Sequence, residues 1–566
     1  MNKNNLCAII FLLLFSVLFS NVNSQTKKEF RNPILAGFYP DPSICKVESD
    51  YYLVNSTFGY FPGIPIFRSK DLVNWNLIGH VLDRPEQLNL DGMGITRGLF
   101  APAIRYNNGT FYVTCTLVDG GGNFVVTSTK PEGPWSNPVW LPEVNGIDPS
   151  LFFDDNGKAY LLYNRDAPEN KPFYSGHRTI RIREFDPVNL KVSKEEKIIV
   201  NGGVDLSKKP VWIEGPHIYK INGKYFLTAA EGGTAEDHSQ VIFRSDNVYG
   251  PYIPYEKNPI LTQRHLKPER KNPITCTGHA DFVQTDKGEW WAVFLACRPH
   301  EPFIENNYNT GRETFLAPIT WNEGWPIINY GFEEVQHFYP LPISMKGKSV
   351  IPLSGDFTVT ENFDKKTLPN YFMFIKTPKK SWYSLTSKEG FLEMKLLPET
   401  VSGKSNPCFL ARRQQHSYCT FSTEIEFTAK SENEKAGVAA YQMEEYFYYF
   451  CKSKVNNKEV VQLYKSNKNK KANNMELIEQ KEIVNSEKLF IKIEAKGKEY
   501  SFYYGYNKDN WILLKDKVDA SFLSARNVYG FVGTVFGIYA TSLGKVSNNS
   551  AAFDWLEYSG YDIIQK

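Results

Sequence analysis

A pattern that recurs five times limits what this chain can fold into. A polar turn leads into large apolar or aromatic residues and a short strand-like run at Asp50-Tyr51-Tyr52-Leu53-Val54, Gly109-Thr110-Phe111-Tyr112-Val113, Gly157-Lys158-Ala159-Tyr160-Leu161, Gly223-Lys224-Tyr225-Phe226-Leu227 and Gly288-Glu289-Trp290-Trp291-Ala292. A second strand follows several of them, as in Ile66-Phe67-Arg68-Ser69, Val125-Val126-Thr127-Ser128 and Ile242-Phe243-Arg244-Ser245. Repeats spaced by roughly 50–65 residues, each with several short strands, read as the blades of a five-bladed β-propeller. An array of β-sandwiches is the alternative. The matching ends Ser69-Lys70-Asp71-Leu72-Val73-Asn74-Trp75 and Ser245 to Tyr252 favour true repeats.

The character changes near residue 355, where Lys becomes common. Strand-like alternation appears in Cys419–Phe427, Val438–Phe450, Leu489–Tyr504 and Val528–Ala540, and no helix-period stretch competes. The fold class is therefore all-β, a propeller followed by a C-terminal β-sandwich. The expected organisation is a signal peptide over 1–24, a propeller over 25–340, a linker over 341–354 and the sandwich over 355–566. Lys3, the apolar run Ala8 to Phe19 and the small or polar residues before Gln25 mark the signal peptide, and so an exported protein, periplasmic or extracellular. No later segment approaches 18 apolar residues, which excludes membrane insertion by a helix. With 65 basic against 62 acidic residues and no long run of one sign, nucleic acid is not an expected partner. Removing Cys7 leaves seven scattered cysteines, read as buried free thiols; a Cys408–Cys419 bridge is the alternative.

Three carboxylates stand out. Asp41-Pro42-Ser43 and Asp148-Pro149-Ser150 are near-identical, and Glu214-Gly215-Pro216-His217 follows, each in an apolar-aromatic stretch. One Asp-Pro-Ser alone reads as a turn or an Asx cap. In a propeller, however, the innermost strands line a central channel, and these acids fall before the first, third and fourth repeats. Equivalent blade positions point to one axis, so the three converge. Hydrolysis of a sugar acetal needs such equipment: a carboxylate base, a carboxylic acid donor and something to hold their pKa values apart.

Several motifs in order extend this reading: Asn-Pro-Ile-Leu-Ala-Gly-Phe-Tyr-Pro-Asp-Pro-Ser (32–43), Ser-Lys-Asp-Leu-Val-Asn-Trp (69–75), Ala-Ala-Glu-Gly-Gly-Thr (229–234), Thr-Gly-His-Ala-Asp (277–281), Gly-Arg-Glu-Thr (311–314) and Phe-Asp-Trp-Leu-Glu-Tyr (553–558). The chain resembles glycoside hydrolase family 43, in particular its two-domain β-xylosidase and α-L-arabinofuranosidase members with a concanavalin A-like second domain. The resemblance implies Asp41 as catalytic base, Glu214 as general acid and Asp148 as the acid that orients Glu214 and raises its pKa. It also implies inversion, for which base and acid stand about 6.5–9.5 Å apart.

The same resemblance places Arg312 on the hydroxyls of the terminal sugar, and Phe58 and Phe100 on the pocket wall; position 100 is often Trp in the family. His279, which by itself reads as a satisfied core histidine, matches a residue at the channel floor near a structural, mostly water-bound Ca²⁺. It is therefore a substrate-side and metal candidate, with no cofactor required for the reaction. Glu231 and His238 match loop and pocket support. A sandwich loop, in the region Gly530 to Gly537, is expected to block one end of the pocket; the rival is an independent carbohydrate-binding module. The function implied is exo-acting release of terminal pentose from plant cell-wall hemicellulose oligosaccharides, with β-D-xylose favoured. The alternatives are an α-L-arabinofuranosidase and, in another class, a propeller that binds sugar without turnover. The oligomeric state is left open.

Overall fold

The computed structural model describes residues 29–564 except 305, 346, 468, 470–473 and 485. The expected signal peptide, 1–24, lies outside the described residues.

Five antiparallel sheets form the blades. The first runs outward through Ser43–Val47, Asp50–Val54, Gly63–Ser69 and Trp75–Leu82. The second is built on Ala103–Asn107, Thr110–Val118 and Gly122–Ser128. The third uses Ile147–Phe153, Ala159–Asp166 and Arg178–Asp186, and the fourth Glu214–Ile221, Lys224–Glu231 and Ser239–Ser245. The fifth comprises Thr275–Gln284, Trp290–Cys297, Glu313–Asn322 and Trp325–Ile328. Each innermost strand packs on the next around the ring, the fifth returning to the first.

The recurring glycine has a local cause. Asn108-Gly109 and Asn222-Gly223 turn the first hairpins of their blades with φ of 46° and 82°, and 50° and 76°. Two consecutive left-handed residues suit the twist of a tight hairpin, and Asn-Gly adopts them at least cost. The ring is closed by the chain's start. Glu29–Arg31 pairs with Phe338–Pro340, and the amides of Ile34 and Leu35 donate to the Thr314 carbonyl of the fifth blade.

The second domain is two stacked eight-stranded sheets. The sequence stretches expected there resolve more finely. Val438–Phe450 spans a hairpin, Lys435–Met443 and Tyr446–Val455, and Leu489–Tyr504 spans Lys488–Lys496 and Glu499–Gly505, turned at Gly497 with φ +57°. Val528–Ala540 yields a strand only from Val535; the residues before it form a loop that reaches the propeller. The seven described cysteines are free, Cys408 and Cys419 included.

The two domains share structure as well as surface. Tyr60–Phe61 of the propeller forms the edge strand of a sandwich sheet, pairing with Met373–Ile375. Phe61, Leu88 and Leu99 lie in one apolar core with Phe374, Trp382 and Phe421. Burying such side chains contributes about 1.5–3 kcal/mol each, so parting the domains would expose a continuous core. No described helix is long and apolar enough to cross a membrane.

Candidate active site

At one end of the channel lies a pocket of about 430 Å³, within the range of about 300–1,000 Å³ usual for small-molecule sites. Seven of the residues singled out from the sequence line it, Asp41, Asp148, Glu214, Phe58, Phe100, His279 and Arg312, while Glu231 and His238 do not.

Local backbone irregularity is what aims them. In the third, fourth and fifth blades the innermost strand shifts register between Ile147 and Ser150, Glu214 and His217, and Gly278 and Asp281. In each case three steps on the inner strand oppose two on its neighbour. A bulge of this kind re-aims a side chain without ending the sheet. Within the three bulges lie Asp148, Gly215 and His279, with φ of 56°, 57° and 51°; Asp41, just ahead of the first blade, has 53°. Left-handed backbone is uncommon outside Gly and costs about 1–3 kcal/mol where surroundings impose it. The repeated Asp-Pro-Ser thus sets an Asp in left-handed backbone at the start of an innermost strand, within a bulge at Asp148 and just ahead of a regular strand at Asp41.

Two residues beyond, Ser43, Ser150, His217 and Asp281 form a lower tier that ties the blades together. Asp281, fully buried, accepts from Ser43 Oγ (2.7 Å) and Arg105 Nη1 (2.8 Å), and Arg105 Nη2 lies 2.8 Å from His217 Nδ1. Ser150 Oγ donates to the Pro216 carbonyl. Burial holds the His217 imidazole neutral, its pKa lowered to about 3, so its Nδ1 accepts from the guanidinium.

The three acids of the upper tier are all buried, yet their surroundings differ. Burial alone would raise the Asp41 pKa, but Arg312, His279 and the hydrogen bond from Ser56 outweigh it and hold the carboxyl below the ordinary value. Arg312 Nη1 is 3.5 Å and His279 Nδ1 3.7 Å from Asp41 Oδ1, and Ser56 Oγ donates to Oδ2 at 2.5 Å. Glu214 has the opposite setting. Burial first, then the negative charges of Asp148 and Asp41, push it up to about 8. Asp148 is itself raised to about 6, by burial and against the pull of His279, while its Oδ2 accepts the Gly215 amide at 3.1 Å. At neutral pH the site therefore holds an ionised Asp41 and a protonated Glu214.

Arg312 carries a further signal. Its Nε is buried without a protein partner, and such a donor is costly unless a ligand satisfies it. Phe58, Phe100 and Phe531 close the wall beside it, with ring centroids 5.6–5.9 Å apart. The Arg312 guanidinium sits 5.1 Å over Phe531 and 6.0 Å over Phe58.

Phe531 comes from the sandwich, where its amide donates to Thr96 Oγ1 at 2.7 Å. Phe536, the other phenylalanine of that segment, is buried and stacks on Phe421. The sandwich also grips the loop carrying Asp41: Arg413 Nε donates to the Phe38 carbonyl at 2.7 Å, and its guanidinium lies 4.0 Å over Tyr39. Of the support residues, Glu231 accepts the Val204 amide, and His238 donates through Nδ1 to the Cys276 carbonyl beneath Gly278. Sequence reasoning did not single out Trp212, Arg178 and Asn164, which also line the pocket.

His279 Nδ1 lies 3.7 Å from Asp41 Oδ1, and no group of three or more His, Cys, Asp or Glu able to hold a metal ion occurs among the described residues. Calcium takes about six to eight oxygen ligands. An ion bound mostly through water would take most of these from solvent, and no step below runs through a metal.

Residues 30–326 match glycosyl hydrolases family 43, and residues 360–559 match the beta xylosidase C-terminal concanavalin A-like domain. The chain belongs to glycosyl hydrolase family 43. A xylosidase/arabinosidase of Butyrivibrio fibrisolvens is 38% identical over 533 residues, 93% of this chain and 98% of that protein. A non-reducing end alpha-L-arabinofuranosidase of Bacteroides ovatus is 37% identical over 570 residues, 99% of this chain and 100% of that protein. The crystal structure of a GH43_12 retrieved from capybara gut metagenome superposes with a TM-score of 0.83 at 40% identity, covering 92% of this chain and 96% of that one. As a member of family 43 the protein is a glycosidase with the propeller and concanavalin A-like sandwich of its relatives.

Proposed function

We propose that this family 43 enzyme hydrolyses, by inversion, the terminal pentose of hemicellulose oligosaccharides, with β-D-xylose as the favoured sugar. The observation that carries the reading is the opposed protonation of Asp41 and Glu214 in one buried pocket. Asp41, ionised, takes a proton from the attacking water. Glu214, protonated, delivers its proton to the leaving oxygen. Burial, then the negative charge of Asp148, keeps that proton on Glu214 at neutral pH. Arg312, with its unpartnered Nε, binds hydroxyls of the terminal sugar while its charge keeps Asp41 ionised.

The exo mode is supported by Tyr529, Gly530 and Phe531, which stand across one side of the pocket. A chain running through would meet this loop; a chain end fits. Trp382, Trp511 and Trp555 of the sandwich are buried or half-buried, and the reading takes the domain as a lid. The second reading, α-L-arabinofuranose, is supported by the name of the Bacteroides ovatus relative. We further propose, from the apolar run Ala8 to Phe19, that the enzyme works outside the cytoplasm.

The test compares aryl β-D-xylopyranoside with aryl α-L-arabinofuranoside, using Asp41→Asn as control. Preference for the xyloside, lost in the variant, is expected. Preference for the arabinofuranoside replaces the sugar, and activity on neither overturns the pentosidase reading.

A further inference from the structure

A loop flanked by two pocket-lining residues carries an exposed aromatic ring that the chemistry above does not use. The loop 167–177 joins Ala159–Asp166 to Arg178–Asp186 at the pocket end of the third blade, since Asn164 and Arg178, which flank it, both line the pocket. In this loop Phe173 is 73% exposed. Isolated apolar exposure is ordinary on a protein surface. Here, however, the ring is held. It stacks on the His177 imidazole with centroids 5.3 Å apart and planes at 20°, and Tyr174 stacks on the same imidazole at 5.1 Å and 16°.

The imidazole is itself fixed. His177 is 3% exposed, accepts the Phe173 amide at Nδ1 (3.2 Å) and donates through Nε2 to Asn201 Oδ1 (2.7 Å). The Tyr174 hydroxyl donates to the carbonyls of Gly202 (3.1 Å) and Pro210 (2.8 Å). An exposed ring whose orientation is set in advance loses little conformational freedom when a ligand settles on it.

The loop is also fastened to the acid's side of the pocket. The Gly176 carbonyl accepts the amide of Trp212, two residues before Glu214, and Trp212 lines the pocket. Gly176 has φ +88°, and a Cβ there would come within 3.1 Å of Val211, so the loop and the Trp212 segment meet closely. General-acid catalysis requires the leaving oxygen to sit at Glu214. The departing sugar chain must therefore leave beside Glu214, and the loop that carries Phe173 is fastened to the segment leading into Glu214.

We propose that Phe173 is an outer subsite for the leaving-group chain, stacking a sugar ring beyond the unit joined to the scissile bond. The proposal rests on the exo-glycosidase reading and adds a preference for longer oligosaccharides over disaccharides and aryl glycosides.

The experiment measures kcat and KM for aryl pentoside, disaccharide and tetrasaccharide with wild type, Phe173→Ala and Phe173→Trp. In Phe173→Ala the KM for tetrasaccharide should rise about threefold to tenfold, the size expected of one aromatic stack, with aryl pentoside kinetics unchanged. Phe173→Trp should restore the tetrasaccharide KM. An unchanged tetrasaccharide KM in Phe173→Ala overturns the subsite, as does an equal rise for the aryl pentoside, which would show a structural role for the loop. If wild type hydrolyses none of the substrates, the exo-glycosidase reading fails and takes the subsite with it. That outcome is distinct because it appears before any substitution.

Discussion

The two sides of the pocket use the same side-chain chemistry to opposite ends. On the side of the first and fifth blades, Asp41 faces Arg312, His279 and Ser56, and its carboxyl stays below the ordinary value. On the side of the third and fourth blades, Glu214 faces Asp148, and its carboxyl rises to about 8. Both acids are buried, so burial does not separate them. The neighbours do: the Arg312 guanidinium on one wall, a carboxylate on the other. Acid–base chemistry in this fold is thus a matter of which blade supplies the next residue along the channel.

The most severe way to break the comparison is to remove either end of it. Asp41→Asn should lower kcat by about 10²- to 10⁴-fold on every substrate, aryl glycosides included. Glu214→Gln should match that loss on oligosaccharides but lose far less on aryl glycosides with good leaving groups, which depart without protonation. Steady-state kinetics on the two substrate types checks both, and an equal loss for Glu214→Gln on activated and unactivated substrates would remove it as the donor.

Arg312→Met is the next largest. Losing a charge-assisted bond to the sugar should raise KM by about 10- to 100-fold, and losing the positive charge should let the Asp41 pKa rise, moving the acid limb of kcat/KM to higher pH. Phe531→Ala sharpens the comparison from the sandwich side. KM should rise by about threefold with both pH limbs in place, because the lid shapes the pocket and leaves the two carboxyl environments untouched.

The smallest effect concerns stability. A carboxyl whose folded pKa is raised from 4.5 to about 8 contributes stability fully present below the lower value and lost as pH rises through the upper one. The wild-type Tm should therefore fall between pH 5 and pH 9 by more than that of Glu214→Gln, which has no proton to lose; thermal melts across that range test it.

Much of this was legible in the sequence, for physical reasons that can be named. The blades announce themselves because the same hairpin recurs, with Gly109 and Gly223 where two left-handed residues are needed. Asp41, Asp148 and Glu214 could be grouped because similar blade positions share an axis; the bulges show that Asp148, Gly215 and His279 hold the equivalent position, with Glu214 one residue ahead of it.

Contacts between distant segments left no such trace. Nothing in Gly530 to Gly537 distinguishes Phe531, which faces the pocket, from Phe536, which faces the sandwich core; only the start of the strand at Val535 separates them. Trp212 stood in view as part of an apolar run before Glu214, while Arg178 sits at the end of an irregular loop whose path the sequence pattern does not set. That Tyr60–Phe61 completes a sheet of the other domain depends on pairing across more than three hundred residues, which no local pattern encodes.

The central claim is that the charge of Asp148 adds to burial in holding the proton on Glu214. The most direct measurement is the pH dependence of kcat/KM for wild type and Asp148→Asn on one aryl pentoside. The account predicts a wild-type alkaline limb near the Glu214 value of about 8, displaced to lower pH in Asp148→Asn because the negative charge that raised it is gone. An alkaline limb that stays where it was, or moves up, would contradict it.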